Sequence, residues 1–160
     1  MSNELQKVDH SALRTNQAII IALLVIAFLI NAPELAALVA VVMLLGTVFK
    51  RPGFGLIYNR LLKPLNLVRP DVLLDNPEPH RFAQGFGGVV LVLSLAGFLL
   101  GSSAVGWALS WLVVGLAALN LFVGFCAGCA VYYWLHRLNL PGFVKAPPAN
   151  TFPGMRPKPR

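Results

Sequence analysis

The sequence predicts an all-α, polytopic membrane protein: four transmembrane helices in two helical hairpins, with a short interfacial amphipathic helix between them. Three observations lead there. Apolar residues make up 57% of the 160-residue chain and charged residues only 12%, about half the charge of an ordinary soluble domain. So few polar groups cannot cover a water-soluble fold. The apolar residues are gathered into four long runs. The 13 Lys and Arg residues all lie outside those runs, in the N-terminal arm, the Lys50 to Arg81 region and the tail after His136.

A hydrocarbon core needs about 20 helical residues. The first run, Ala18 to Ile30, reaches that length when Ser11 to Arg14 extend its helix. The second, Leu35 to Phe49, has Pro33 suited to the first turn of a helix. The third is Phe86 to Leu100, entered through His80 to Gln84. The fourth, Val105 to Leu135, is long enough to tilt or protrude, and Tyr132, Tyr133 and Trp134 form an aromatic belt at its far end. The expected spans are 12–30, 33–49, 81–100 and 105–136, within a membrane domain of residues 1–140.

Orientation follows from the loops. Asn31 to Glu34 and Gly101 to Ala104 carry no Lys or Arg, so they face outward and both termini are cytoplasmic. The arm from Met1 to Gln17, with Glu4, Lys7, Asp9 and Arg14, lacks a small-residue cleavage site, so the first span is retained. The net charge of +7 and pI near 10.0 would suit nucleic acid, but the positions of the charges fit a bilayer partner and no nucleic acid.

Between the hairpins, Phe54, Ile57, Tyr58, Leu61, Leu62 and Leu65 recur at helical spacing opposite Asn59, Arg60 and Lys63. That pattern predicts an amphipathic helix on the inner membrane surface, ended by Pro64. Pro70, Pro77 and Pro79 keep Asp71 to His80 non-helical. Residues 141–160, with six prolines and Lys145, Arg156, Lys158 and Arg160, read as a disordered basic cytoplasmic tail drawn to anionic lipid or a partner.

Arg14-Thr-Asn-Gln17 opens the first span and Arg81-Phe-Ala-Gln84 the third. The pattern fits either two related hairpins or arginines snorkelling at helix entrances.

The strongest chemical signal is Gly124-Phe-Cys126-Ala-Gly128-Cys129. Read in mid-helix, Cys126 and Cys129 share a face as a dithiol. A helix from Val105 at ~1.5 Å per residue carries them to the inner interface, at the depth of Arg14, Gln17, Arg81 and Gln84. A nearby guanidinium would favour thiolate. The competing reading is packing: Gly124 and Gly128 make a Gly-x-x-x-Gly that lets helices approach closely, with Gly85, Gly87 and Gly88 as its matching face. A mid-helix pair also lacks the helix N-terminus that activates such motifs.

Metal is the weakest reading. Zinc needs two further ligands; His136 lies too far along the helix, and His10 and His80 read as headgroup residues. Asp71, Asp75 and Glu78 read as solvated, with a role in holding Arg14 or Arg81 as the alternative. Asn120 should bond another helix. No phosphate-binding loop, His-Glu-x-x-His or Gly-x-Ser-x-Gly occurs, so no cofactor is named by motif.

Three pieces together resemble one bacterial membrane-protein family, the domain of unknown function DUF4395: Val8-Asp9 with Arg14-x-Asn16-Gln17, Pro79-His-Arg-Phe-Ala-Gln-Gly85, and Gly124-Phe-Cys-Ala-Gly-Cys129. The resemblance spans Val8 to Arg137. It implies a four-helix fold in the bacterial cytoplasmic (inner) membrane and association with a thioredoxin-like protein or a sulfurtransferase. The site it implies is Arg14, Asn16, Gln17, Arg81, Gln84, Cys126 and Cys129; His80 stands where the family pattern carries a basic residue.

Two functions are therefore expected. The first is thiol redox or sulfur handling through Cys126 and Cys129, with Arg14 and Arg81 stabilising anionic sulfur and Gln17 and Gln84 orienting. The alternative is a non-catalytic accessory subunit of a larger membrane complex. A small-solute carrier is disfavoured by the scarcity of polar residues in the spans.

Overall fold

The structure is a computed structural model that describes residues 5–65 and 67–157. It is mostly helical. Asp9 ends a short strand and starts a helix: its carboxylate accepts the Ser11 N–H at 3.0 Å, an N-cap. The strand is β1 (Gln6–Asp9) and the helix α1 (His10–Leu29). After a tight reversal at Asn31, α2 (Pro33–Val48) opens with Pro33 in its first turn, as its missing N–H allows.

α3 (Gly55–Ile57) runs on as a π-turn, Tyr58–Leu62. It is shorter than the amphipathic helix expected. Tyr58 is buried and donates to Asp9 at 2.8 Å, while Leu56, Leu61 and Leu65 are exposed. Burial, with the Asp9 carboxylate beside it, pushes the Tyr58 phenol up to about 12.

The next segment departs from expectation. Instead of an irregular loop, β2 (Val72–Asp75) pairs antiparallel with β1, Gln6 opposite Asp75 and Asp9 opposite Val72. The third long helix, α4 (Pro77–Leu99), then begins at Pro77, earlier than the Arg81 start predicted. Pro77 and Pro79 fall in its first turn, where the backbone N–H groups have no helical partner to lose.

α5 (Ser103–Ala118) continues as a π-turn, Leu119–Val123, and stops. α6 (Ala127–Arg137) follows as a separate helix. The single helix predicted for 105–136 is thus broken, because Gly124 adopts φ +74°, a left-handed conformation that ends helices. The aromatic belt is also reoriented: Tyr132 and Tyr133 are buried and only Trp134 faces outward.

The four long helices form a closed ring: α1 touches α2 and α5, and α4 touches the same two from the other side. Ile20, Leu24, Ala36, Val39, Met43, Leu91 and Val113 fill its centre. Between α4 and α5, Ser94 donates to the Gly106 carbonyl at 2.7 Å and lies 2.9 Å from Ser110 Oγ. Such bonds satisfy polar groups that lipid could not. Phe28, Phe98, Trp107 and Trp111 stack edge to face near the short loops.

Gly85, Gly87 and Gly88 do not meet the cysteine segment. A Cβ on them would meet Thr47, Met43 and Leu44, so this small face is filled by α2. The ring's outside is apolar, with Leu38, Val41, Leu45, Val89, Leu93 and Leu112 exposed. α1, α4 and the 21-residue stretch Ser103–Val123 are each long and apolar enough to cross a membrane; α2, at 16 residues, is shorter. The chain is a membrane protein on this evidence of composition and length.

Candidate functional site

The break after α5 makes the site. Gly124 turns the chain and Phe125 bridges to Met155. Cys126 then lies in extended conformation as the N-cap of α6, its Sγ accepting the Cys129 N–H at 3.2 Å. Cys126 therefore sits at a helix N-terminus and not in mid-helix, and there the helix dipole and an N–H donor both favour thiolate. Cys126 and Cys129 are joined as a disulfide, with Cα atoms 5.2 Å apart, and both are buried.

Gly128 brings this turn against α4. A Cβ there would stand 2.7 Å from the Ala83 Cα, closer than real atoms approach. One helical turn before Ala83 is His80, and its Nδ1 lies 3.5 Å from the Cys129 Sγ. The other ring nitrogen, Nε2, is 2.9 Å from Asp75 Oδ2 at the end of β2. His10, first residue of α1, reaches the same oxygen at 3.2 Å. The ribbon pairing is what carries His10 and Asp75 here.

Asp75 is 4% exposed. Burial alone would raise its carboxyl, but the two imidazoles beside it, His10 at 3.2 Å and His80 hydrogen-bonded at 2.9 Å, together with the Asn76 N–H outweigh it and hold it below the usual carboxylate range. The expectations of solvated Asp75 and of headgroup His10 and His80 are both corrected: buried His10 and Asp75 and half-buried His80 form a cluster beside the sulfurs. In a neutral His80, an ionised Asp75 would favour the tautomer with the proton on Nε2, which leaves the Nδ1 lone pair toward Cys129.

A cavity of about 560 Å³ opens onto this cluster, bordered by His10, Arg14, His80, Cys126, Cys129 and Arg156. Arg14 thus shares a cavity with both sulfurs. Gln17 and Gln84 border a separate 60 Å³ crevice behind Cys126, with Asn16 and Asn120. Gln84 is engaged with α2 and its following loop: it donates to the Met43 carbonyl at 2.9 Å and accepts from the Gly53 N–H at 3.3 Å. Asn16 accepts the Phe54 N–H at 2.8 Å. Arg81 borders a third cavity with Lys50, Arg51 and Gln84, which holds no sulfur.

The tail expected to be disordered is packed on the site as far as Pro157; Lys158 and Arg160 lie outside the described residues. The Gly154 carbonyl accepts the Cys126 N–H at 2.7 Å, and the Arg156 N–H donates to Gly124 at 3.0 Å. Arg156 also pairs with Asp71, and the buried Asn76 donates to the Ala146 carbonyl at 2.8 Å. Proline-rich sequence here lacks regular structure, yet it is held by backbone hydrogen bonds.

His10, Asp75, His80 and Arg156 were missed as site residues. Gly124 carried the one readable signal: a glycine two residues before a capping residue is a helix stop as readily as half of a Gly-x-x-x-Gly. Among known proteins, a family model described as a domain of unknown function (DUF4395) matches residues 8–137. No curated protein and no solved structure matches the chain.

Proposed function

The chain belongs to the DUF4395 family, and we propose that it is a bacterial inner-membrane thiol–disulfide exchange protein working through Cys126 and Cys129. The observation that carries this reading is His80, with Nδ1 3.5 Å from Cys129 and Nε2 2.9 Å from the buried Asp75. A pair held only for packing needs neither a base nor a carboxylate to orient it.

The roles follow from position. Cys126, capping α6, is the attacking thiolate; its sulfur displaces one sulfur of a partner disulfide, giving a mixed disulfide and a free partner thiolate. Cys129 then loses its proton to His80 Nδ1 and attacks the Cys126 sulfur. The Cys126–Cys129 bond forms, the second partner thiolate leaves, and the proton on His80 can pass to it. Two electrons have moved to the partner, and the reverse sequence oxidises a partner dithiol. Arg14, on the same cavity, stabilises thiolate or an anionic sulfur species. Gln17 and Gln84 act from behind Cys126, Gln84 by fixing the end of α2, and Arg81 serves as a cation at the helix entrance. A thioredoxin-like protein or a sulfurtransferase is the partner class that this chemistry suits.

Four spans complete the membrane picture. α2 at ~1.5 Å per residue covers ~24 Å, and Asn31, Ala32 and Phe49 with modest bilayer thinning supply the remainder. The basic residues gather at the cysteine end, so that end and both termini are cytoplasmic. The accessory-subunit alternative draws less support, since Gly85, Gly87, Gly88 and Gly128, which it would offer to a neighbour, are filled within the chain.

The test uses purified protein in detergent. The reduced wild type is expected to consume one aromatic disulfide probe per dithiol and finish as the internal disulfide. Folded protein whose reduced thiols leave the probe untouched would remove this reading.

A further inference from the structure

We propose that, once reduced, Cys126, Cys129 and His80 form a three-ligand site for a thiophilic divalent cation of the zinc class. This uses the same dithiol as the exchange reading, without needing exchange to occur. The donor atoms of the three residues lie within 4.8 Å of one another. A tetrahedral zinc ion with Zn–S near 2.3 Å and Zn–N near 2.0 Å puts a sulfur and a nitrogen ligand ~3.5 Å apart. His80 Nδ1 and Cys129 Sγ already stand at 3.5 Å.

The other requirements of such a site are also met. Cα atoms 5.2 Å apart let the two sulfurs turn from each other toward a shared ion by side-chain rotation. The Cys129 N–H to Cys126 Sγ bond stabilises the thiolate that a metal needs. Asp75, 2.9 Å from His80 Nε2, is the outer carboxylate that fixes the tautomer and aims Nδ1, as carboxylate–histidine–zinc pairs do. Two thiolates and a neutral imidazole balance the charge of a divalent ion. The fourth position opens to the 560 Å³ cavity edged by Arg14 and Arg156, where water or a small anion completes the shell.

The step balances simply. A dithiol reductant gives two electrons to the Cys126–Cys129 bond and becomes a disulfide; the two thiols then release two protons as the ion binds. A partner disulfide takes the two electrons back: it leaves as two partner thiolates, the Cys126–Cys129 bond re-forms and the ion is released, so metal occupancy reports the redox state.

Cobalt(II) is the probe, added to protein in detergent after the reductant has been removed without air. Reduced wild type is expected to bind one equivalent with a thiolate-to-cobalt charge-transfer band that zinc abolishes, and disulfide protein to give no band. His80→Gln and Asp75→Asn should each weaken binding about 10- to 100-fold. Reduced, natively eluting protein without the band overturns the proposal, as does a band undiminished in His80→Gln. Should the variants misfold, wild type alone decides: zinc is expected to protect both thiols from a maleimide, and an unchanged alkylation rate overturns the proposal. Exchange is measured before metal is added. Exchange without cobalt binding removes only the metal site, and cobalt binding without exchange removes only the exchange reading.

Discussion

Nδ1 of His80 lies 3.5 Å from Sγ of Cys129, across the boundary between α4 and α6. The histidine is fixed from behind by Asp75, which is itself shared with His10. This chain of contacts joins residues separated by most of the sequence.

Replacing His80 tests the proton acceptor. His80→Ala is expected to slow closure of the internal disulfide by about 10²- to 10⁴-fold near neutral pH, so the mixed disulfide on Cys126 accumulates. Rapid quenching with acid and mass spectrometry measures that species. Closure at the wild-type rate would leave His80 without a catalytic role.

The Asp75 carboxyl is held below its ordinary value of 3.8 in the fold. The unfolded chain therefore takes up the proton first as pH falls. The stability that Asp75 contributes is complete above the unfolded value and is lost progressively between about pH 5 and 2. Wild-type Tm in detergent should fall over that range more steeply than that of Asp75→Asn, which cannot titrate there. Parallel curves would contradict the cluster.

Gly124 holds φ +74° at the break between α5 and α6. Gly124→Ala is expected to lower stability by about 1–2 kcal/mol, and Gly124→Asn by less, since Asn tolerates the left-handed region. Nothing but the Arg156 Cβ, at 3.6 Å, borders a Cβ there, so backbone strain is the sole cause. Thermal unfolding in detergent measures it, and equal loss in both variants would point elsewhere.

Truncation after Leu140 removes the segment whose Gly154 carbonyl holds the Cys126 N–H. It also leaves the buried Asn76 side chain without the Ala146 carbonyl, a loss of about 1–3 kcal/mol. Faster alkylation of the reduced thiols and a lower Tm are expected together. Unchanged alkylation would mean that the tail does not cover the site.

The helical hairpins were legible because lipid-facing helices must be long and apolar, and their lengths and short loops can be read directly. Proline's effect was misjudged at Pro77 and Pro79, which sit in the first turn of α4 where they cost nothing. The cysteines were found, but their setting turned on the conformation of Gly124. A glycine in an apolar run can pack or turn, and only the rest of the chain decides which. His10, Asp75 and His80 were beyond reach for a different reason. Their meeting depends on pairing β1 with β2 across more than sixty residues, and four-residue strands leave little periodicity to detect. Arg14 and Arg81, read as a matching pair from the sequence, border different cavities, and only that of Arg14 holds the sulfurs.

The central claim is that Cys126 attacks and Cys129 resolves. The direct measurement is mixed-disulfide capture in intact membranes of cells carrying Cys129→Ser or Cys126→Ser, quenched with acid and resolved without reductant. Cys129→Ser should hold a partner covalently on Cys126, released by reductant, whereas Cys126→Ser should hold none. Capture by neither variant, with both proteins folded in the membrane, would contradict the account.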